Sequence, residues 1–243
     1  MTKAQKRDAI KAGADGLRIH QAIARQLGTA ILTGKFAPGD SLGGEIDASE
    51  QLGISRTSYR EAIRILIAKG LIESKPKAGT HVLPRRRWNL LDPDMLAWMF
   101  SQKPDPAFVR DLFELRGIIE PEAAALAAER RSEEHLAGMA TALAGMREHT
   151  LAAEAGQAAD QDFHSTMLDA AGNMALASLI GSVGAAVRWT THFKLSVSTP
   201  ARDSLPDHEA VYLAIAAGDT GGARAAMHEL LRLARIDVMK LVV

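Results

Sequence analysis

Residues 43–64 constrain this chain more than any other stretch. Two short helical patterns flank Leu52-Gly53-Ile54-Ser55, which leaves room for one tight turn and nothing else. Ser55 is a good N-cap for the second pattern. That pattern carries Arg56, Arg60 and Arg64 at i, i+4 and i+8, so the three guanidinium groups share one helix face. Helix, turn and arginine-studded helix form a helix-turn-helix, whose second helix enters the major groove of DNA by its N-terminal end.

The flanking sequence extends this unit. Apolar positions Leu17, Ile19, Ile23, Leu27, Ala30 and Ile31 repeat near 3.6 and predict a first helix over 17–33, stopped by Gly34. Phe36-Ala37-Pro38-Gly39-Asp40 is a turn, and a second helix is expected over 45–52. The third runs from Ser55 to Lys69, with Gly70 past its end. Strand, turn and strand follow at 71–74, 75–80 and 81–83, the wing of a winged helix. The expectation is a disordered lead over 1–14, a winged helix-turn-helix of three helices and a two-stranded wing over 15–83, and a basic linker over 84–94. Residues 95–243 show almost only helical periodicity. They predict an all-α bundle of six or seven helices over about 92–101, 106–129, 133–154, 156–171, 174–196, 205–217 and 220–240, alanine-rich where helices approach closely. The chain is therefore expected to be mostly α.

Net charge is zero, but it is divided. Residues 1–87 hold 16 Lys/Arg against 8 Asp/Glu, and residues 88–243 hold 13 against 21. A basic part coinciding with a helix-turn-helix implies double-stranded DNA as partner. The chain has no cysteine, which excludes disulfides and thiolate metal sites. No apolar run approaches the roughly 20 residues of a membrane span, and residues 1–11 have no signal-peptide core, so a cytoplasmic protein is expected.

Arginine can donate two parallel hydrogen bonds to guanine, so Arg56 and Arg60 are the candidate base readers. Ser55, Thr57, Ser58 and Tyr59 are candidates for phosphate, and Lys75, Lys77 and Gly79 for contacts from the wing. Arg64 either joins them or pairs with Glu61 or Glu45.

Residues 17–83 resemble the winged-helix domain of the GntR family of bacterial transcription regulators. The marks are Ile31-Leu32-Thr33-Gly34 with Pro38-Gly39-Asp40-Ser41-Leu42, then Leu52 through Ala62, then Lys69-Gly70-Leu71-Ile72 and Gly79-Thr80-His81-Val82. Gly43-Gly44 and Ser58 depart from the pattern, which more often has proline at the first and last of these places. The resemblance implies operator contacts from Arg56, Arg60 and Gly79, and a homodimer on a short inverted repeat.

Asp160 and His164 stand at i, i+4 on one predicted helix face, and His208 on a later helix is a third candidate ligand. Imidazole and carboxylate without sulfur suit Zn, Ni, Mn or Fe. Spacing alone leaves the site open, since a carboxylate four residues from a histidine is common. Residues 106–240 resemble the all-helical effector domain of the FadR branch, the FCD type. The marks are Leu115-Arg116, Glu120-Pro121, Asp160 with Phe163-His164, Ala171-Gly172-Asn173, His208-Glu209-Ala210 and Ala217-Gly218-Asp219. The resemblance implies a divalent transition metal, zinc first with nickel or manganese as alternatives, on Asp160, His164 and His208. A further histidine usual in that pattern is replaced by Leu230, and His228 lies on another face of the helix. The segment Arg87–Met99 is similar to the linker of sugar-acid repressors of this branch, the galactonate type especially. Trp88 and Trp98 are expected to pack that linker onto the effector domain.

Arg116 sits within an apolar helix face near Leu112, Leu115 and Ile119, so its charge needs a partner, either a neighbouring acid or a ligand. The resemblance favours the ligand. Arg235 is the second candidate clamp for an effector carboxylate, and Arg188, Trp189, His192 and Lys194 fall on a pocket-side helix by analogy. The function expected is a regulator, a repressor of a sugar-acid or hydroxy-carboxylate operon, released from its operator by a small carboxylate. A second reading makes Asp160, His164 and His208 the centre of a hydrolase or oxygenase fused to a DNA-binding module; no general base or nucleophile elbow supports it. A third is an acyl-CoA-responsive regulator.

Overall fold

The computed structural model describes residues 19–75, 79–197 and 202–242. The expected lead over 1–14 and Lys77 lie outside these residues. The chain divides into two compact units, Met1–Met99 and Phe100–Val243. None of the described helices is long and apolar enough to cross a membrane.

The first unit holds α1 (Ile19–Leu32), α2 (Glu45–Leu52), α3 (Arg56–Ala68), β1 (Ile72–Lys75), β2 (Gly79–Val82) and most of α4 (Pro93–Phe100). α2 ends because Gly53 takes a left-handed conformation (φ 69°), which lets the Gly53 and Ile54 N–H groups close on the carbonyls of Glu50 and Ser49. α3 starts because Ser55 Oγ accepts from the Ser58 N–H at 3.1 Å. Ser58 stands where the family pattern often has proline, and a proline could not donate that bond. β1 and β2 pair antiparallel, Ile72 opposite Val82 and Lys75 opposite Gly79. Ile23, Ile31, Tyr59, Leu66, Leu71 and Val82 form the core.

Met95 and Trp98 belong to that same core, with Trp88 and Leu90 packed on it. The expected linker is thus part of the DNA-binding unit, and the division falls at residue 99 instead of 94. Trp88 and Trp98 pack on this unit, contrary to expectation. Trp88 Nε1 donates to the Leu83 carbonyl at 2.8 Å. The buried Lys69 ammonium, at the end of α3, donates to Asp92 (2.6 Å) and Asp94 (2.8 Å) and lies 5.4 Å from the Trp98 ring centre. Gly28 leaves space for Trp98: a Cβ there would stand 2.3 Å from the indole. Gly28→Ala is expected to destabilise this unit by about 1–3 kcal/mol, the usual cost of overpacking. Chemical denaturation of wild type and variant checks this.

The second unit holds, among the described residues, α5 (Pro106–Arg130), α6 (Glu133–His149), α7 (Glu154–Ala170), α8 (Met174–Ala177), α9 (Ile180–Val197), α10 (Leu205–Ala217) and α11 (Thr220–Val242). α5 packs chiefly on α11, α6 on α7, and α9 on α7. Ala123, Ala124, Ala127 and Ala128 of α5 are fully buried, and their small side chains allow this close helix approach. Two expected helices are shorter or broken. α6 stops at His149, where Thr150 has a positive φ of 53°. The expected helix over 174–196 is interrupted after α8, where Ser178 Oγ bonds back to the Ala175 carbonyl at 2.7 Å.

Candidate DNA-reading face and candidate metal and effector site

α3 sorts its residues by face. Tyr59, Ala62, Ile63 and Leu66 are buried, while Arg56, Thr57, Arg60 and Arg64 are exposed. Tyr59 is therefore a core residue and not a phosphate ligand; burial first, and Glu45 second, raise its phenol above the ordinary value. Arg60 Nε donates to Glu45 of α2 at 2.9 Å, and Arg64 pairs with Glu61 at 2.7 Å. Ser55 is exposed and occupied as the cap, and Lys75 pairs with Glu73 at 2.7 Å. Gly79 opens β2 beside the wing tip.

In the second unit α7, α10 and α5 bring four side chains together. Asp160 and His164 lie one turn apart on α7, and His208 lies near the start of α10. His208 Nε2 is 3.0 Å from Asp160 Oδ1 and 3.3 Å from His164 Nε2, and His164 Nε2 is 3.8 Å from Asp160 Oδ1. All three residues are buried. Phe163 presses edge-on against both imidazoles, with ring centres 5.9 and 5.2 Å away.

The outer nitrogen of each imidazole has a close partner. His208 Nδ1 lies 2.8 Å from the Ser204 carbonyl, which can only accept, so Nδ1 carries the proton. His164 Nδ1 lies 2.6 Å from Glu120 Oε2, a close ion-pair contact off the line of a hydrogen bond. Both imidazoles place Nε2 beside Asp160 Oδ1, a buried oxygen that accepts no hydrogen bond. One imidazole nitrogen from each histidine and one Asp160 oxygen, all within 4.8 Å of one another, form a donor set that fits a cation. Asp160 is held ionised. Burial pushes its carboxyl up, but His208, His164 and the Thr191 hydroxyl (3.0 Å from Oδ2) outweigh this and keep it well below the usual carboxylate range.

Glu120, which spacing did not single out as a site residue, is the partner of Arg116. Arg116 Nε donates to Oε1 at 2.5 Å and Nη2 to Oε2 at 3.4 Å. The charge of Arg116 thus has an i+4 carboxylate partner within the chain, and Arg116 also lines the cleft described below. Burial alone would raise the Glu120 carboxyl; Arg116 and His164 overcome it and hold it at about 2. Arg116, Glu120 and His164 form one buried relay behind the cluster.

The cluster opens into a cleft with about 400 Å³ of empty space, part of it continuous with solvent. Its lining includes Arg116, Thr190, Thr191, Lys194, Arg202, Ser204, Leu230 and Val238. Arg235 does not line it and is exposed; the second arginine of the cleft is Arg202, which pairs with Asp237 at 3.0 Å and with Asp207. Those two carboxylates overcome burial and raise the Arg202 guanidinium above its ordinary value. Of the pocket-side candidates only Lys194 lines the cleft; Arg188 pairs with Glu154 and Trp189 stacks edge-on with His192. Burial lowers the Lys194 ammonium from its ordinary value, against the pull of Asp237 and Asp160. Leu230 is buried on the cleft wall and His228 is exposed, so His228 does not replace the histidine of the family pattern.

A basic winged helix and a separate helical unit with a buried polar cleft define a ligand-responsive DNA-binding regulator. The comparisons agree with this class. The model for bacterial regulatory proteins of the gntR family matches residues 19–82, and the FCD domain model matches residues 111–233. The chain is 36% identical to the galactonate operon transcriptional repressor of Escherichia coli K12 over 203 residues, 82% of this chain and 88% of that one. It is 33% identical to the HTH-type transcriptional regulator LutR of Bacillus subtilis 168 over 202 residues, 81% and 90% of the two chains. Among solved structures, Lar, which controls the Listeria monocytogenes agr system, aligns over 92% of this chain and 98% of its own with a TM-score of 0.64; at 19% identity this is a likeness of fold. The chain belongs to the GntR family, in its FCD-containing branch, and is a transcription regulator and not an enzyme.

Proposed function

We propose that this regulator is a repressor of a sugar-acid or hydroxy-carboxylate operon, acting in the cytoplasm as a homodimer on an inverted-repeat operator. Arg56 and Arg60 read base edges, while Ser55, Thr57, Lys77 and Gly79 hold the DNA backbone. The cleft binds a small carboxylate at a divalent transition metal on Asp160, His164 and His208, zinc first and nickel or manganese next. The orphaned Asp160 Oδ1 facing two imidazole Nε2 atoms is the observation that carries this reading. When bound, such an ion supplies the positive charge that anchors a carboxylate and an adjacent hydroxyl. Glu120 and the Ser204 carbonyl orient the two imidazoles, and Thr191 orients Asp160. Leu230, in place of a fourth protein ligand, leaves that side of the cluster to the effector.

The relative named for the galactonate operon supports an aldonate as the effector. The polar, compact cleft disfavours an acyl-CoA chain. Effector bound better in one arrangement of the dimer shifts the population away from DNA.

The test is a thermal-shift screen of sugar acids and hydroxy acids, with and without chelator. The expected result is stabilisation by an aldonate that disappears on chelation and in His164→Ala. A shift of equal size under all three conditions sinks the metal-anchored reading.

A further inference from the structure

Among the described residues that line the cleft, all but three are buried; the exceptions are Thr191, Arg202 and Ala234. Solvent therefore reaches the cleft past these three, between α9, the segment leading into α10, and α11. Asp160, His164 and His208 are each at most 3% exposed, so the way to them leads through this mouth. Of the three rim residues only Arg202 has a long side chain, and it is tied across the opening. Its Nε donates to Asp237 Oδ2 at 3.0 Å, and Asp237 lies one turn beyond Ala234 on α11. Its Nη1 donates to the Asp207 carboxylate and to the Asp203 carbonyl, the latter at 3.3 Å. Asp203 and Asp207 stand on the same side of the mouth as Arg202: Asp207 is in the first turn of α10, and Asp203 accepts from the Leu205 N–H at its start. Of these three bonds, only the one to Asp237 crosses to α11.

This clasp opens without stranding a charge. The Arg202 side chain is 29% exposed and that of Asp237 18%, so water reaches both ends. Arg202 Nη2 is buried and has no partner among the described residues, so the closed guanidinium leaves one donor unsatisfied. Asp237 also acts on the Lys194 ammonium, which lines the same cleft, so an Asp237 released by Arg202 still faces a cation. A released Arg202 keeps Asp207 on its own side. A deeply buried pair broken by the loss of one partner behaves differently, because the remaining charge has nowhere to go.

We propose that the Arg202–Asp237 ion pair is a gate. Closed, it bars the mouth of the cleft; its opening sets how fast the Asp160–His164–His208 cluster exchanges ions and small molecules with solvent. The pair governs entry and exit alike, and so acts on rates and not on affinity. The gate goes beyond the reading given under Proposed function and does not depend on which ion or effector the cluster holds.

The experiment is carbethoxylation of the full-length, metal-free protein by diethyl pyrocarbonate, followed histidine by histidine with peptide mass spectrometry. A buried imidazole reacts in proportion to the time its cover is open. His149 and His228 are exposed and serve as internal controls. In Asp237→Asn, His164 and His208 should react at least about 10-fold faster than in wild type, the size of effect that one charge-assisted hydrogen bond supplies. The control histidines should keep their rates. Asp207→Asn should change the two buried histidines less than about 3-fold, because the bond to α11 stays. Equal rates in wild type and Asp237→Asn overturn the gate. Equal gains in both variants overturn it too, since they mark a general loosening of α10. Stopped-flow exchange of zinc with a chromophoric chelator gives a second readout: uptake and release should both speed up in Asp237→Asn, with the dissociation constant within about 3-fold of wild type. Faster release without faster uptake is a loss of affinity and overturns the gate. A wild type that binds no zinc removes the metal-anchored reading, and carbethoxylation still decides the gate. Should Asp237→Asn fail to fold, wild type suffices. Raising the ionic strength from about 0.05 to about 0.5 M should speed His164 and His208 at least about 2-fold relative to the controls, because salt weakens a partly exposed pair. No such gain overturns the proposal.

Discussion

Arg60→Ala should lower specific operator affinity by roughly 30-fold to 20,000-fold on a two-half-site operator, taking about 1–3 kcal/mol for each bidentate arginine–guanine pair. Arg60 is two-thirds exposed and lies one turn beyond Arg56 on the open face of α3. Its one partner, Glu45, belongs to the preceding helix. An exposed pair of this kind contributes about 0–1 kcal/mol to stability, so the loss of affinity should come without unfolding. Glu45 holds Nε of Arg60, and contact with a base requires the pair to open or share. Glu45→Gln should therefore bind random DNA somewhat more tightly, because a negative charge leaves the phosphate-facing surface. Fluorescence anisotropy with operator and scrambled duplexes at one salt concentration measures both effects. Arg60→Ala that still prefers operator over scrambled DNA would remove Arg60 from the reading set. Its effector-induced thermal shift should stay intact.

The second large effect is on stability. Glu120→Ala should destabilise the helical unit by about 3–5 kcal/mol, because Arg116 is left as a buried charge without its counter-ion. For a unit of this size that is a fall in melting temperature of roughly 6–20 °C. The same substitution frees His164 Nδ1, so metal affinity should drop about 10- to 100-fold, the usual consequence of losing a carboxylate behind a ligating histidine. The pair separates structural from functional roles. Arg116→Met with Glu120→Leu replaces two charges by apolar groups of similar bulk and should restore most of the stability. It should not restore metal affinity. A Glu120→Ala protein that melts with wild type would show that the relay is not sealed from solvent.

The parts of this chain that could be read in advance are those governed by neighbours in sequence. The α2–α3 turn needs a left-handed residue at Gly53 and a cap at Ser55, and both are chosen by the residues within four positions. Asp160 and His164 were visible for the same reason, and the structure brings His208 to them. What stayed hidden depends on distant packing. Arg202 lies in a connecting segment without periodicity, and only the fold sets it between Asp207 and Asp237 across the cleft from Lys194. Arg235, the second candidate clamp for an effector carboxylate, is exposed on α11. Glu120 was legible in principle, as the i+4 neighbour of an arginine on an apolar face. The break between α8 and α9 escaped because the sequence across it remains apolar and helix-favouring, with no proline at the break.

Lys69 has a practical consequence for anyone dissecting the molecule. The ammonium that closes α3 is neutralised by Asp92 and Asp94, and the core beneath it is completed by Met95 and Trp98. A fragment cut at the end of the wing, near residue 83, would expose that core and leave Lys69 without its two carboxylates, and would be a poor reagent for footprinting or for grafting onto other sensors. The piece to transplant is the longer one that ends at Met99, where the first compact unit ends.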